Sequence, residues 1–166
     1  MGNEAPPASP EIPGLEPVFR HLDDVGWQHV RTQMHGDGQK SVREKWLAFG
    51  RDPQYLSLYA RWDPGMVVRR HGHYSDHVLF VLRGELICGD VRCAAGTHIE
   101  LRKGAAFGPL TAGPEGVELF EVMMGDPRSW GADEAGFDRL LRERGIEKLP
   151  DPPIDLPDWL EDRRGS

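Results

Sequence analysis

The chain has 166 residues and a formal net charge of −7. That length fits one domain, and the acidic balance excludes a broad nucleic-acid-binding surface, which needs a basic stripe. No apolar run approaches the roughly 20 residues of a membrane-spanning helix, so the sequence predicts neither a nucleic-acid nor a membrane partner.

Residues 1–16 are rich in Pro, Gly and Glu and are expected to form a disordered N-terminal tail. The opening MGNEAPPASPEIPG lacks the basic and apolar regions of a secretion signal. Residues 17–126 are expected to form one β-barrel domain. Within it, residues 42–49 and 54–62 read as strands, the second ended by the turn tripeptide Asp63-Pro64-Gly65. Residues 77–88 and 91–101 read as a hairpin around Gly89-Asp90, and 117–124 as a last strand. Short strands with frequent turns and no alternating helices predict an all-β, antiparallel sandwich or barrel. The two cysteines flank the hairpin turn, which sets Cys88 opposite Val91 rather than Cys93. Free thiols and a reducing, cytoplasmic location are therefore expected. Trp27 and Trp46 are expected in the core.

Residues 127–166 are expected to carry a helix and a tail. Phe137, Leu140, Leu141 and Arg144 have helical spacing within 132–144, with Gly145 as a C-terminal cap. The following LPDPPIDLPDWLEDRRGS is too proline-rich for a long helix or a regular strand. Its Leu149, Ile154, Leu156, Trp159 and Leu160 are too many for a solvated tail, so it should pack on the barrel or on a second subunit. Uncovered sheet edges and this tail together predict a homodimer.

The richest segment is GMVVRRHGHYSDHVLFVLRG, from Gly65 to Gly84. His71, His73 and His77 fall at i, i+2 and i+6. In an extended strand, residues an even number apart share a face, so the three rings point the same way if no turn near Tyr74-Ser75-Asp76 breaks the parity. Neutral imidazole is a common metal ligand near neutral pH. Arg69, two residues earlier, shares the parity; it is either a pocket residue that could anchor a carboxylate or enolate oxygen, or a surface arginine on an irregular strand. Asp76 is either a partner for a ligand N–H or a solvated turn residue. His98 and Glu100 share one strand face and are expected to be exposed. His21, His29 and His35 receive no role, and no inward glutamate stands out as a general base.

The spacing resembles the first motif of the cupin superfamily: glycine, five residues, His-x-His, three or four residues, glutamate, six residues, glycine. His77 stands where that motif has glutamate. The second motif is matched only in part: Ala95-Gly96-Thr97 resembles its turn and Gly104 its later glycine, while Phe107 stands at its histidine and Arg102 at its proline. The resemblance spans residues 42–124 and implies a jelly-roll barrel, the double-stranded β-helix. The layout around Trp27, residues 42–47 and Arg61-Trp-Asp-Pro-Gly65 is loosely similar to the cupin half of certain anti-sigma factors and to diketone-cleaving dioxygenases with three-histidine iron sites. The resemblance carries over to His71 and His73; the role of His77 is read from parity and motif position.

One divalent transition metal held by His71, His73 and His77 is thus expected, with iron, zinc and nickel all open. Phe107 and Arg69 are the candidate substrate-pocket residues. A non-haem, dioxygenase-like oxidoreductase acting on a small organic molecule leads. A metal-dependent lyase or isomerase, and a non-enzymatic ligand-binding or sensing protein, stand beside it.

Overall fold

The computed structural model describes residues 9–164. The elements in chain order are β1 (Gln28–His35), β2 (Gly38–Arg51), β3 (Gln54–Trp62), β4 (Val67–Val68), β5 (His71–Cys88), β6 (Val91–Ala94), β7 (His98–Leu101), β8 (Leu110–Gly131), α1 (Glu134–Glu143) and β9 (Glu147–Lys148). Every strand pairing is antiparallel, in the order β6-β5-β8-β3-β2-β1-β9, with β7 added to β5 and β4 to β8. Among the described residues, these strands, one short α-helix and this pairing make the all-β jelly-roll barrel that the strand and turn signals predict.

Two long strands, β5 and β8, form the spine. Their register slips between His73 and Ser75, between Val81 and Arg83, and between Gly84 and Leu86, and such bulges bend and twist a pair so that it can close into a barrel. Gly84 carries the last bend with φ +74, and a Cβ there would overlap the Gly116 carbonyl oxygen. Only glycine meets both demands at this position. Alternation along the strands then fills the interior: Leu58, Ala60, Val81, Leu86 and Leu119 are fully buried.

The strands begin earlier than the sequence signals place them. β1 was not anticipated, and β2 starts at Gly38 rather than at residue 42. Trp27 is not a core residue. It lies half-exposed beside Tyr59, with Lys45 4.9 Å, Arg43 5.5 Å and Arg61 5.7 Å from its ring. Trp46 packs against the core, as expected. Cys88 pairs with Val91 and Cys93 with Leu86, and both thiols are free.

The helix starts two residues later than its periodicity suggests, because the Asp133 carboxylate accepts the Gly136 N–H at 3.0 Å and caps it. At its other end Gly145 has φ 64, its N–H reaches the Arg142 carbonyl, and Ile146 N–H reaches the Leu141 carbonyl at 2.9 Å. That is a Schellman closure around the expected glycine. Phe137 and Leu141 bury against Val67.

The proline-rich tail packs on its own barrel. Trp159 meets Phe49 edge-on at 5.6 Å, Leu160 is buried, Asp151 pairs with Arg31, and Arg164 donates to the carbonyls of Val30 and Pro152. Of the expected disordered tail, residues 1–8 lie outside the described residues; residues 9–16 form no helix or strand.

Candidate metal centre and pocket

β5 runs unbroken through Tyr74-Ser75-Asp76, so the parity holds: His73, Ser75 and His77 are buried, while Tyr74 is exposed. The rings of His71 and His73 lie 5.2 Å apart between centroids, and those of His73 and His77 4.5 Å apart. Phe107, joined to His71 by a backbone bridge, places its ring 5.0 Å from that of His71 and 5.9 Å from that of His77. The structure therefore gathers the three histidines and Phe107 around one space.

Each ring is oriented by an acceptor. Nδ1 of His71 lies 2.8 Å from the Arg69 carbonyl, and Nδ1 of His73 lies 2.9 Å from the Pro127 carbonyl. A carbonyl only accepts, so both Nδ1 atoms carry the proton and Nε2 is the lone-pair nitrogen. His77 is turned the other way. Its Nε2 donates to Oε2 of Glu121 at 2.9 Å, and its Nδ1 is buried without a partner. Such outer acceptors fix tautomer and ring angle in metal-binding histidines. Burial pushes the His71 pKa down to about 3, with the neighbouring His73 adding to the fall. Burial, then His77, pushes His73 to about 4. Both rings are neutral at pH 7, the form that binds cations.

Among the described residues, no group of three or more His, Cys, Asp or Glu side chains is arranged as a ready metal cage. What the cluster offers is a fitting donor set: three imidazoles on one face, with Nδ1 of His77 buried and unpartnered in the interior.

The other expected residues are distributed as follows. Arg69 is neither a free surface residue nor a free anchor. It lines the pocket rim, with its Nη1 2.6 Å from Oε1 of Glu134 on α1. Asp76 accepts the Lys103 N–H at 2.8 Å and pairs with Arg102, so it holds the β7–β8 connection rather than a histidine. His98 and Glu100 are exposed.

Two carboxylates face inward that the sequence reading did not single out. Glu121 continues the parity of Leu119 and Met123 on β8, and Glu44 that of Val42 and Trp46 on β2. That parity was the available signal. Glu44 accepts the Trp46 indole N–H at 2.8 Å, and its pKa is raised to about 7, first by burial and then by the charge of Glu121. Both carboxylates, the histidines, Phe107 and Arg69 line one cavity of about 200 Å³, whose outer wall is the C-terminal segment.

No protein-family model and no curated protein sequence matches the chain. Solved structures do. A proposed acetylacetone dioxygenase from Methylibium petroleiphilum aligns over 77% of this chain and 97% of its own, at 14% identity and TM-score 0.56. An RmlC-like cupin from Shewanella frigidimarina aligns over 73% of this chain and 96% of its own, at 18% identity and TM-score 0.52. KdgF from a Halomonas species aligns over 72% and 99%, at 19% identity and TM-score 0.51. Together with the β5–β8 spine, these likenesses show that the chain shares the jelly-roll barrel fold of these solved structures.

Proposed function

We propose that this protein is a metal-binding cupin acting on a small organic molecule in a dioxygenase-like manner, with one divalent transition metal held by His71, His73 and His77. The observation that carries this reading is the orientation of the rings: three imidazoles on one face, each with one nitrogen held by an outer acceptor and the other left over. A divalent ion bound by neutral ligands keeps its full charge, so it would polarise an enolate or diketone oxygen as a Lewis acid and, as iron, admit oxygen chemistry. The similarity to a proposed acetylacetone dioxygenase supports that direction.

The chain's own residues have separable roles in this proposal. Phe107 excludes water from one side of the centre and offers a ring on which a planar substrate stacks. Glu121 holds the tautomer and angle of His77. Glu44, with a pKa raised to about 7, can take or give a proton near neutral pH, the role of a general acid or base. The proposal includes a homodimer, supported by half-exposed Phe80 and Phe120 paired on the outer sheet face, and a cytoplasmic location, supported by the two free thiols.

Elemental analysis of the purified protein and of His73→Ala tests the reading. The expected result is one equivalent of metal in the wild type and none in the variant, with the barrel still folded by circular dichroism. Iron supports oxygen chemistry; zinc or nickel moves the assignment to a lyase or isomerase. Full metal content in His73→Ala, or no metal in either protein, overturns the metal centre and leaves a ligand-binding cupin.

A further inference from the structure

The cavity carries a second polar feature that the metal centre does not use. Arg31 on β1 lines it and pairs with Asp151 of the C-terminal segment at 2.9 Å, both side chains largely buried. Arg31 also donates to the Val30 carbonyl. Burial holds its pKa below the usual guanidinium value; Asp151 opposes that, while Arg164 and Arg69 add like charge. Arg31 is thus the guanidinium half of a buried ion pair in a cavity whose exposed lining is mostly apolar.

The pair is matched incompletely on the Asp151 side. Oδ2 meets Arg31, but Oδ1 is buried without a partner. A guanidinium fork matches a carboxylate with two parallel hydrogen bonds, and buried polar atoms normally find partners. Asp151 sits in a stretch with no helix or strand, so it can leave without breaking a ladder. We propose that Arg31 is the anchor for the carboxylate of a small organic acid, and that Asp151 occupies that anchor until the acid displaces it.

Size and charge narrow the ligand. An apolar cavity of about 150 Å³ accommodates benzene, and this one is about 200 Å³, so the body is close to one six-membered ring. Phe49, Leu56 and Ile154 among the lining residues offer it an apolar bed. Glu44 and Glu121 line the same cavity and oppose a dianion, which favours a monocarboxylate over a phosphate. The anchor stands on Arg31 and Asp151 alone and needs no metal.

Benzoate is the probe, measured by isothermal titration on the full chain in chelator, with benzamide as its uncharged counterpart. Asp151→Asn removes the competing charge and leaves Arg31 without a counter-ion. It should bind benzoate at least tenfold more tightly than the wild type and ignore benzamide. The double variant Arg31→Gln with Asp151→Asn removes both charges, so it avoids a lone buried ion, and it should lose benzoate binding. Both arms are run in chelator on metal-free protein, which keeps this result separate from the fate of the metal centre. Equal benzoate affinity in Asp151→Asn and wild type, equal affinity for benzamide, or benzoate binding that survives in the double variant overturns the anchor.

Discussion

Nε2 of His77 lies 2.9 Å from Oε2 of Glu121, and both side chains are buried. This pair links the two adjacent spine strands diagonally on their inner face, and each residue is the other's main polar partner. Glu121→Gln keeps the shape and an acceptor but removes the charge. It should leave the fold intact and weaken metal retention by roughly tenfold to a hundredfold, the usual cost of losing an outer partner of a metal-binding histidine. His77→Ala should be worse for stability, by about 3 kcal/mol or more, because it strands a buried carboxylate. Metal competition titrations and urea denaturation separate the two effects.

Phe107 occupies the position at which a fourth imidazole would face the cluster. Phe107→His should shift a metal competition titration to lower free metal. It should also cost about 1–3 kcal/mol in denaturant stability, because a buried aromatic surface is lost. Unchanged metal affinity together with the loss of stability would show that the ring serves only the core.

Glu44 gives the fold a pH dependence of definite sign. Its folded pKa is about 7 against 4.5 in the ordinary state, so the folded chain keeps a proton that the unfolded chain releases between those values. Stability from this group is therefore present below pH 4.5 and lost as pH rises to 7. Glu44→Gln retains an acceptor for Trp46 and has nothing to titrate. Relative to the wild type it should gain up to about 3 kcal/mol by pH 8 and nothing at pH 4, measured by denaturation across that range.

Gly84→Ala tests the bend that brings β5 back into the barrel. A positive φ for alanine costs about 1–3 kcal/mol, and the contact with the Gly116 carbonyl adds to it. Thermal unfolding should show a clear drop, whereas Gly145→Ala, which has no atom within 4 Å of its Cβ, should lose only the φ term.

Much of this was legible in the sequence because alternation is a local rule. Once His71, His73 and His77 lie on one extended strand, their common face follows from counting, and the spacing to Gly84 carries the bend. The same count applied to residues 117–124 would have found Glu121 beside Leu119 and Met123. Arg31 was beyond its reach: β1 has a register shift between His29 and Arg31, which breaks alternation where it was needed. Asp151 was hidden for a different reason. Its partner lies 120 positions earlier, and nothing local in a proline-rich stretch states what the stretch will cover. Nor does local sequence say that Arg69 will be taken by Glu134 from a helix 65 residues on.

The unbroken run of β5 has a consequence for how this site tolerates change. All three imidazoles are presented by one strand, so their convergence is a matter of phase rather than of loop shape. A single residue inserted between His73 and His77 would turn His77 outward without altering any ligand's identity, and the partner of Glu121 would be lost in the same event. Two inserted residues would restore the face but move the ring by one repeat, away from Met123 of the paired strand. Substitutions at Tyr74, which is exposed, should pass almost unnoticed. The segment therefore accepts variation in spelling and rejects variation in length.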